Sequence, residues 1–384
     1  MKIRSIEPTP SPNVMKLNMD ERLPEGKNYQ FTVDQKAKAP TYLQQLLSIE
    51  GVKSVFQVLD FISLERHPKA KWEIILSEAR SKLGEAKYAS IPHEHESTEQ
   101  QKKSDSDFVE IAVFIQKIKG IPMQIKLRKG EEELRVGLPD RFARAVMKVQ
   151  SAVSNLIFER KWVEQKPRYG TLEQVGAEVA EEIDAAYDQA RLDQLVAAAL
   201  NEEPSSAANV DEMAEEELQR AFSDPDWRKR YQALESMEPT IDKLPLIQQA
   251  LQDDKQAIRR LAVVYLGLIE QKEVLPSLIK ALEDRSAIVR RTAGDTLSDL
   301  GYKEAIPAMC KALQDSNKLV RWRAARFLFE VGDQTAIPAL KQAIDDPEFE
   351  VRMQAKIALE RIEKGEEASG TVWQQMTRRI KEDR

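Results

Sequence analysis

Apolar positions along the chain follow three successive patterns. In IEGVKSVFQVLDFISLER, Ile49 to Arg66, β-formers stand at Val52, Phe56 and Val58, a tight reversal at Asp60, and more β-formers at Phe61, Ile62 and Leu64. That pattern predicts a hairpin. Upstream, VMKLNM alternates, with Val14, Lys16 and Asn18 on one face and Met15, Leu17 and Met19 on the other. Pro8, Pro10 and Pro12 lack backbone donors and suit a loop rather than a central strand. Helical spacing appears in APTYLQQLLSI, at Tyr42, Leu43, Leu46 and Leu47 behind Pro40. It returns in KAKWEIILSEARSKLG, where Trp72, Ile75, Ala79 and Leu83 form one stripe ending at Gly84. Together these elements make a small α+β sandwich.

The second pattern opens with DFVEIAVFIQ and IPMQIKLRKGEEELRV, three strands of which the last two turn around Gly130. One helix is predicted through LPDRFARAVMKVQSAVSNLIFERKW, started by Pro139–Asp140 and carrying Phe142, Val146, Val149, Val153 and Leu156. Two Ala- and Glu-rich helices follow, over 171–187 and 188–200. This block is also α+β.

The third pattern repeats every 31 residues. Pro245, Pro276, Pro307 and Pro338 recur in step with Ala250, Ala281, Ala312 and Ala343. Asp253, Asp284, Asp315 and Asp346 keep the interval, as do Arg259, Arg290, Arg321 and Arg352. So do Ala262, Ala293, Ala324 and Ala355, then Leu266, Leu297, Leu328 and Leu359. An earlier unit, DPDWRKRYQALESM, keeps the spacing from Asp224 to Arg230. Each unit reads as two helices. Pro opens the first, and Asp ends it and offers its carboxylate to free N–H groups of the second. Ala and Leu let neighbouring second helices approach. A HEAT-like α-solenoid of about five units is the expected result. DEMAEEELQRAF and TVWQQMTRRIKE are expected to cap its ends.

The recurrent Asp and Arg, six residues apart, suit a ladder of ion pairs between successive units; an anion-binding row of arginines is the alternative. Positions that vary carry more information about recognition. They are Arg260, Leu261 and Val264, then Arg291, Thr292 and Asp295, then Trp322, Arg323 and Arg326, and last Met353, Gln354 and Ile357. Arg291, Trp322, Arg323, Arg326 and Met353 form side by side the expected partner-binding surface, with the composition of an interface hot spot. The competing expectation is that Trp322 is partly buried and covers the next unit.

Composition separates the three patterns. Tyr88 to Asp107 is polar and without periodicity, and Asn201 to Glu217 is acidic and broken by Pro204. The expected domains are therefore 1–86, a linker over 87–107, 108–200, an acidic linker over 201–217, and 218–384. Across 384 residues, 42% are hydrophobic and 32% charged, and the net charge of −6 argues against a general nucleic-acid or anionic-membrane binder. One cysteine, Cys310, excludes an intrachain disulfide. No stretch approaches a membrane span and no apolar leader opens the chain, so a cytoplasmic location is expected.

Catalytic chemistry finds no motif: the sequence has no glycine-rich phosphate loop and no Gly-x-Ser-x-Gly. Its three histidines are His67, His93 and His95. HEHE, 93–96, has metal-ligand residue types but stands in a polar linker. The expectation is a protein with no cofactor, no metal and no catalytic residues. One cysteine is also too few for an iron–sulfur cluster held by a single chain.

The motifs TPSPNVMKL, IEGVKSVF and DFISLER, within residues 3–83, resemble the N-terminal domain of NifU-type iron–sulfur scaffold proteins. The order of the three blocks resembles the conserved virulence factor C family of Gram-positive bacteria. That resemblance implies a cytoplasmic factor affecting virulence-factor production, and the residues themselves favour a non-catalytic adaptor that binds another protein. A second implication is an accessory protein that docks to iron–sulfur assembly components without ligating a cluster. The repeats also resemble those of phycobilin lyases, which makes a lyase-like enzyme a third.

Overall fold

The computed structural model describes residues 1–9, 11, 13–24, 27–67, 70–84, 110–130, 132–150, 159–201 and 215–366. Outside them lie Pro10, Pro12, the linker over 87–107, HEHE, Val153, Leu156, most of the acidic linker and the expected C-terminal cap. The chain divides into two compact units, residues 1–111 with 129–131 and residues 112–128 with 132–384.

The first unit is built on five antiparallel strands: β1 (Ile3–Pro8), β2 (Val14–Met19), β3 (Asn28–Thr32), β4 (Val52–Val58) and β5 (Phe61–Arg66). Their order is β1-β2-β5-β4-β3. The predicted hairpin is β4–β5, paired from Val58↔Phe61 onward, and Leu59 turns it with φ 51°. Two helices, α1 (Thr41–Leu47) and α2 (Trp72–Leu83), supply Leu43, Leu46, Leu47, Trp72, Ile75 and Ala79 to the core against Leu17, Val55, Ile62 and Leu64. Helix α2 ends where the glycine predicts, with Gly84 at φ 75°. Asn18, on the face opposite Met15, Leu17 and Met19, is buried as well and donates from Nδ2 to Ser5 Oγ at 2.9 Å.

Strands β1 and β3 go beyond the sequence reading. Both are edge strands, which tolerate a terminal Pro8 and the polar sequence of β3 because one side of each ladder is unpaired.

The second unit opens with the sheet β8-β7-β6-β9: β6 (Glu110–Ile118), β7 (Ile121–Lys129), β8 (Glu132–Gly137) and β9 (Arg160–Tyr169). Turns at Lys119–Gly120 and Gly130 take positive φ. Helix α3 runs Asp140–Val149, so the helix expected to continue through Trp162 is corrected. Arg160 to Val163 belong instead to β9, where pairing with β6 outweighs a weak helical pattern. Helices α4 (Leu172–Ala186) and α5 (Gln189–Leu200) follow. Thr171 caps α4 by accepting from Gln174 N at 3.2 Å, and Asp188 caps α5 by accepting from Arg191 N at 2.8 Å. Gly176 lets α4 lie close on the sheet: a Cβ there would stand 2.8 Å from Val136 Cγ2.

Ten helices then form five pairs: α6 (Glu215–Phe222) with α7 (Trp227–Ser236), α8 (Leu244–Ala250) with α9 (Gln256–Ile269), α10 (Leu275–Ala281) with α11 (Ala287–Leu300), α12 (Ile306–Ala312) with α13 (Lys318–Val331), and α14 (Ile337–Ala343) with α15 (Phe349–Glu363). The four recurrent prolines sit exposed in the first turn of α8, α10, α12 and α14. The Ala and Leu columns of α9, α11, α13 and α15 are buried throughout. The segment expected as an N-terminal cap contributes α6, the first helix of the first pair, with Leu218 and Phe222 buried.

Candidate interaction surface

The recurrent Asp and Arg make the predicted ladder. Arg230 reaches Asp253, Arg259 reaches Asp284, Arg290 reaches Asp315 and Arg321 reaches Asp346, each by two hydrogen bonds of 2.6–3.0 Å. Each arginine also donates from Nη1 to a carbonyl of its own unit, at Asp224, Asp253, Asp284 and Asp315. The aspartates do one thing more: Asp253, Asp284, Asp315 and Asp346 accept the N–H two residues on, at the residue that opens the second helix. In these four arginines Nε, Nη1 and Nη2 each donate within the array, and Arg352 of the last unit donates to the Asp346 and Pro347 carbonyls. The alternative of an anion-binding row at this column is set aside.

The varying columns have another partner, the block formed by β9 and α4. Glu182 of α4 is buried and accepts from Arg168 Nη1 at 2.9 Å, with a second bond from Nη2, and from Arg260 Nη2 at 3.1 and 3.2 Å. Burial alone would push its carboxyl up, but Arg260 and Arg168 outweigh that and hold it below the ordinary glutamate value. Glu178, one turn earlier, keeps the opposite balance: burial raises it more than Arg168 lowers it. Tyr169, at the end of β9, is buried with the Arg291 guanidinium 4.6 Å from its ring centre. Arg323 donates from Nη2 to the Tyr169 hydroxyl at 2.9 Å. Further pairs join Lys255 to Glu181, Arg228 to Asp184, Arg191 to Glu235 and Lys166 to Asp299. The docking thus runs from the first helix pair to the fourth.

These contacts correct the expected exposed surface. Trp322 is only 3% exposed, set against its own helix neighbours Arg323 and Arg326 at 4.9 and 5.9 Å. Its large apolar face is withdrawn from water, as the competing expectation held. Arg291 is 8% exposed and faces Tyr169. Arg323 Nε lies 2.7 Å from Asp295 Oδ1, close enough for an ion pair though poorly aligned for a hydrogen bond. Arg326 pairs with Glu330 at 3.0 Å, and Met353 is half-buried on the last pair. Five residues expected together on one open face therefore divide: Arg291, Trp322 and Arg323 turn inward, while Met353 stays on the last pair and Arg326 binds within its own helix.

Sequence reading missed Tyr169, Glu182 and Arg168, which complete this junction. One signal was available. Val175, Val179, Glu182 and Ala186 share a helical stripe, and a carboxylate in an otherwise apolar stripe announces a buried partner. Nothing in local spacing points to Tyr169, because its arginine partners lie more than 120 residues away.

Family models match all three blocks: "Scaffold protein Nfu/NifU N terminal" at residues 3–89, "Virulence factor" at 116–196, and "HEAT repeats" at 214–284, 243–319 and 275–360. A Staphylococcus haemolyticus protein named conserved virulence factor C is 46% identical over 99% of this chain and all of its own. The chain belongs to the conserved virulence factor C family. A relative from Bacillus subtilis, named uncharacterized protein YpgR, is 54% identical over 98% of each chain. Among solved structures, the Staphylococcus aureus protein SAV1430 is 37% identical over 21% of this chain and 98% of its own, with a TM-score of 0.20.

Family membership carries the three-block architecture and the repeat region with it. Among the described residues, no group of histidine, cysteine, aspartate and glutamate side chains has the arrangement of a metal site, and no helix is long and apolar enough to cross a membrane. Cys310 is half-buried, with its thiol pushed up by burial and by Asp333. That environment disfavours the thiolate.

Proposed function

We propose that this member of the conserved virulence factor C family is a cytoplasmic, non-catalytic adaptor that binds another protein through the end of its repeat array. One observation supports the reading most. The array already recognises a folded block, β9 with α4, through columns that differ from unit to unit, while constant columns hold the units together. A solenoid face that varies by unit is a recognition surface by construction. On the last pair, Met353 and Ile357 are half-buried and continue the same columns. An apolar side chain there can anchor a partner with charged residues around it.

Full-length protein as bait in cytosolic extract tests this. Met353→Glu is expected to remove the specific partner while leaving the unfolding midpoint nearly unchanged. Capture undiminished by that change would move recognition away from the array. The Nfu/NifU match over residues 3–89 supports a second reading for that outcome, an accessory role in iron–sulfur assembly through the first unit. In that case the captured protein would be an assembly component, and it would be retained by residues 1–111 in the intact chain.

A further inference from the structure

Three arginines line the second-helix face where the middle block docks, and their acceptors do not match in number. Glu182 serves two of the nearby guanidiniums, Arg168 and Arg260, and Glu178 lies 3.8 Å from Arg168. Asp295 serves Arg323. Arg291 stands between Arg260 and Arg323 in the stack of units, and among the described residues no carboxylate, carbonyl or hydroxyl accepts from it. Its guanidinium stacks on the face of Tyr169.

Stacking on a ring satisfies the charge of a guanidinium but none of its in-plane N–H groups. Arginine does not escape by losing its proton at physiological pH. A buried N–H without an acceptor costs on the order of 1–3 kcal/mol, more when charged, so such a group in a folded protein demands an explanation. Arg291 Nε is sealed from solvent, whereas the two fork ends are not. Burial bears most on Arg291 and disfavours its charged form; Asp295 offsets this, while the Arg323 and Arg260 guanidiniums add to it. Four guanidiniums, Arg168, Arg260, Arg291 and Arg323, thus stand among three carboxylates, Glu178, Glu182 and Asp295. One positive charge is left over.

We propose that Arg291, flanked by Arg260 and Arg323, binds a small phosphate-class oxyanion at the junction of the middle block and the repeats. Tetrahedral oxyanions suit this arrangement. One edge accepts from the Arg291 fork, held in orientation by Tyr169, and the remaining oxygens face the neighbouring guanidiniums without displacing Glu182 or Asp295. The inference stands apart from the adaptor reading, since it concerns a face that reading leaves to the chain itself.

Titration calorimetry on the full chain decides it, with inorganic phosphate as probe, and with phenyl phosphate and acetate as further arms at matched ionic strength. Phosphate is expected to bind and to raise the unfolding midpoint, and acetate to do so weakly. Tighter binding of phenyl phosphate would identify the natural ligand as a phosphomonoester rather than free phosphate. Arg291→Met is expected to weaken phosphate binding by on the order of tenfold or more, the loss of a charge-assisted bond. If that variant does not fold, Arg291→Lys keeps the charge, loses the planar fork, and is expected to weaken binding similarly. Unchanged binding in either folded variant, or no phosphate binding by the native chain beyond a chloride control, overturns the proposal.

Discussion

Arg259 of one helix pair holds Asp284 of the next by two hydrogen bonds, Nε to Oδ2 at 2.8 Å and Nη2 to Oδ1 at 3.0 Å. Both side chains are largely buried, and Asp284 also accepts from Ser286 N at 2.7 Å. One carboxylate therefore closes a gap between units and opens the second helix of its own. Removing it leaves a buried guanidinium without its anion. Asp284→Ala is expected to lower stability by about 3–5 kcal/mol. Arg259→Met with Asp284→Ala is expected to cost less than the sum of the single changes, because the stranded charge leaves with its partner. Urea unfolding of the three variants measures this; additive losses would refute the coupling.

Acid should act on the docking through Glu182. Its folded value lies below the ordinary one, so its contribution to stability is full above the unfolded glutamate value. That contribution is lost as pH falls through the lowered folded value. Glu178 and Glu330, both raised because burial prevails, act with the opposite sign and gain as pH falls. The difference between native protein and Glu182→Gln isolates the effect. It is expected to shrink steadily from neutral pH toward the acid limit in thermal unfolding profiles, and a constant difference would contradict the assignment.

Burial sets a ranking among repeat positions. Leu297 and Leu328 are fully buried, so truncation to Ala should cost about 2–5 kcal/mol each. Trp322→Ala now joins them at about 3–5 kcal/mol. Cys310→Ser should cost far less, since its column also holds Gln248 and Lys341, both exposed. Chemical denaturation gives the order directly, and a Trp322→Ala variant of native stability would return that side chain to the surface.

Glu270 and Gly301 occupy the same place in successive units, the residue that ends the second helix, and both are left-handed, with φ 53° and 66°. A side chain resists that conformation and glycine does not. Glu270→Gly is expected to stabilise the protein by about 1 kcal/mol. Its backbone carbonyl, which accepts from the Tyr302 hydroxyl at 2.9 Å, is kept by the change. A lower unfolding midpoint would mean the glutamate side chain contributes more than its strain removes.

Most of the repeat region was legible in the sequence because each unit restates the same local chemistry: proline, capping aspartate, buried alanine. The ladder was legible for the same reason, since Arg259 and Asp284 recur at a fixed interval. Trp322 was legible only as two alternatives, exposed or buried. Spacing places it away from the Ala and Leu columns but does not choose between them, because its neighbour Arg323 meets Tyr169 from a block with no periodic relation to the array. Strand β9 was hidden for a related reason, because its charged sequence acquires strand geometry only beside β6. Edge strands β1 and β3 carry too few apolar residues to declare themselves alone.

The middle block rests on the first four helix pairs: its ion pairs fall at Arg228, Lys255, Arg260 and Asp299, and Arg323 adds a hydrogen bond to the Tyr169 hydroxyl. A stack of units held only by neighbours can peel from either end with equal ease. Here the middle block splints the first four pairs along their length. Those four pairs are therefore expected to open together rather than one at a time, and their amide protons to exchange as one slow group.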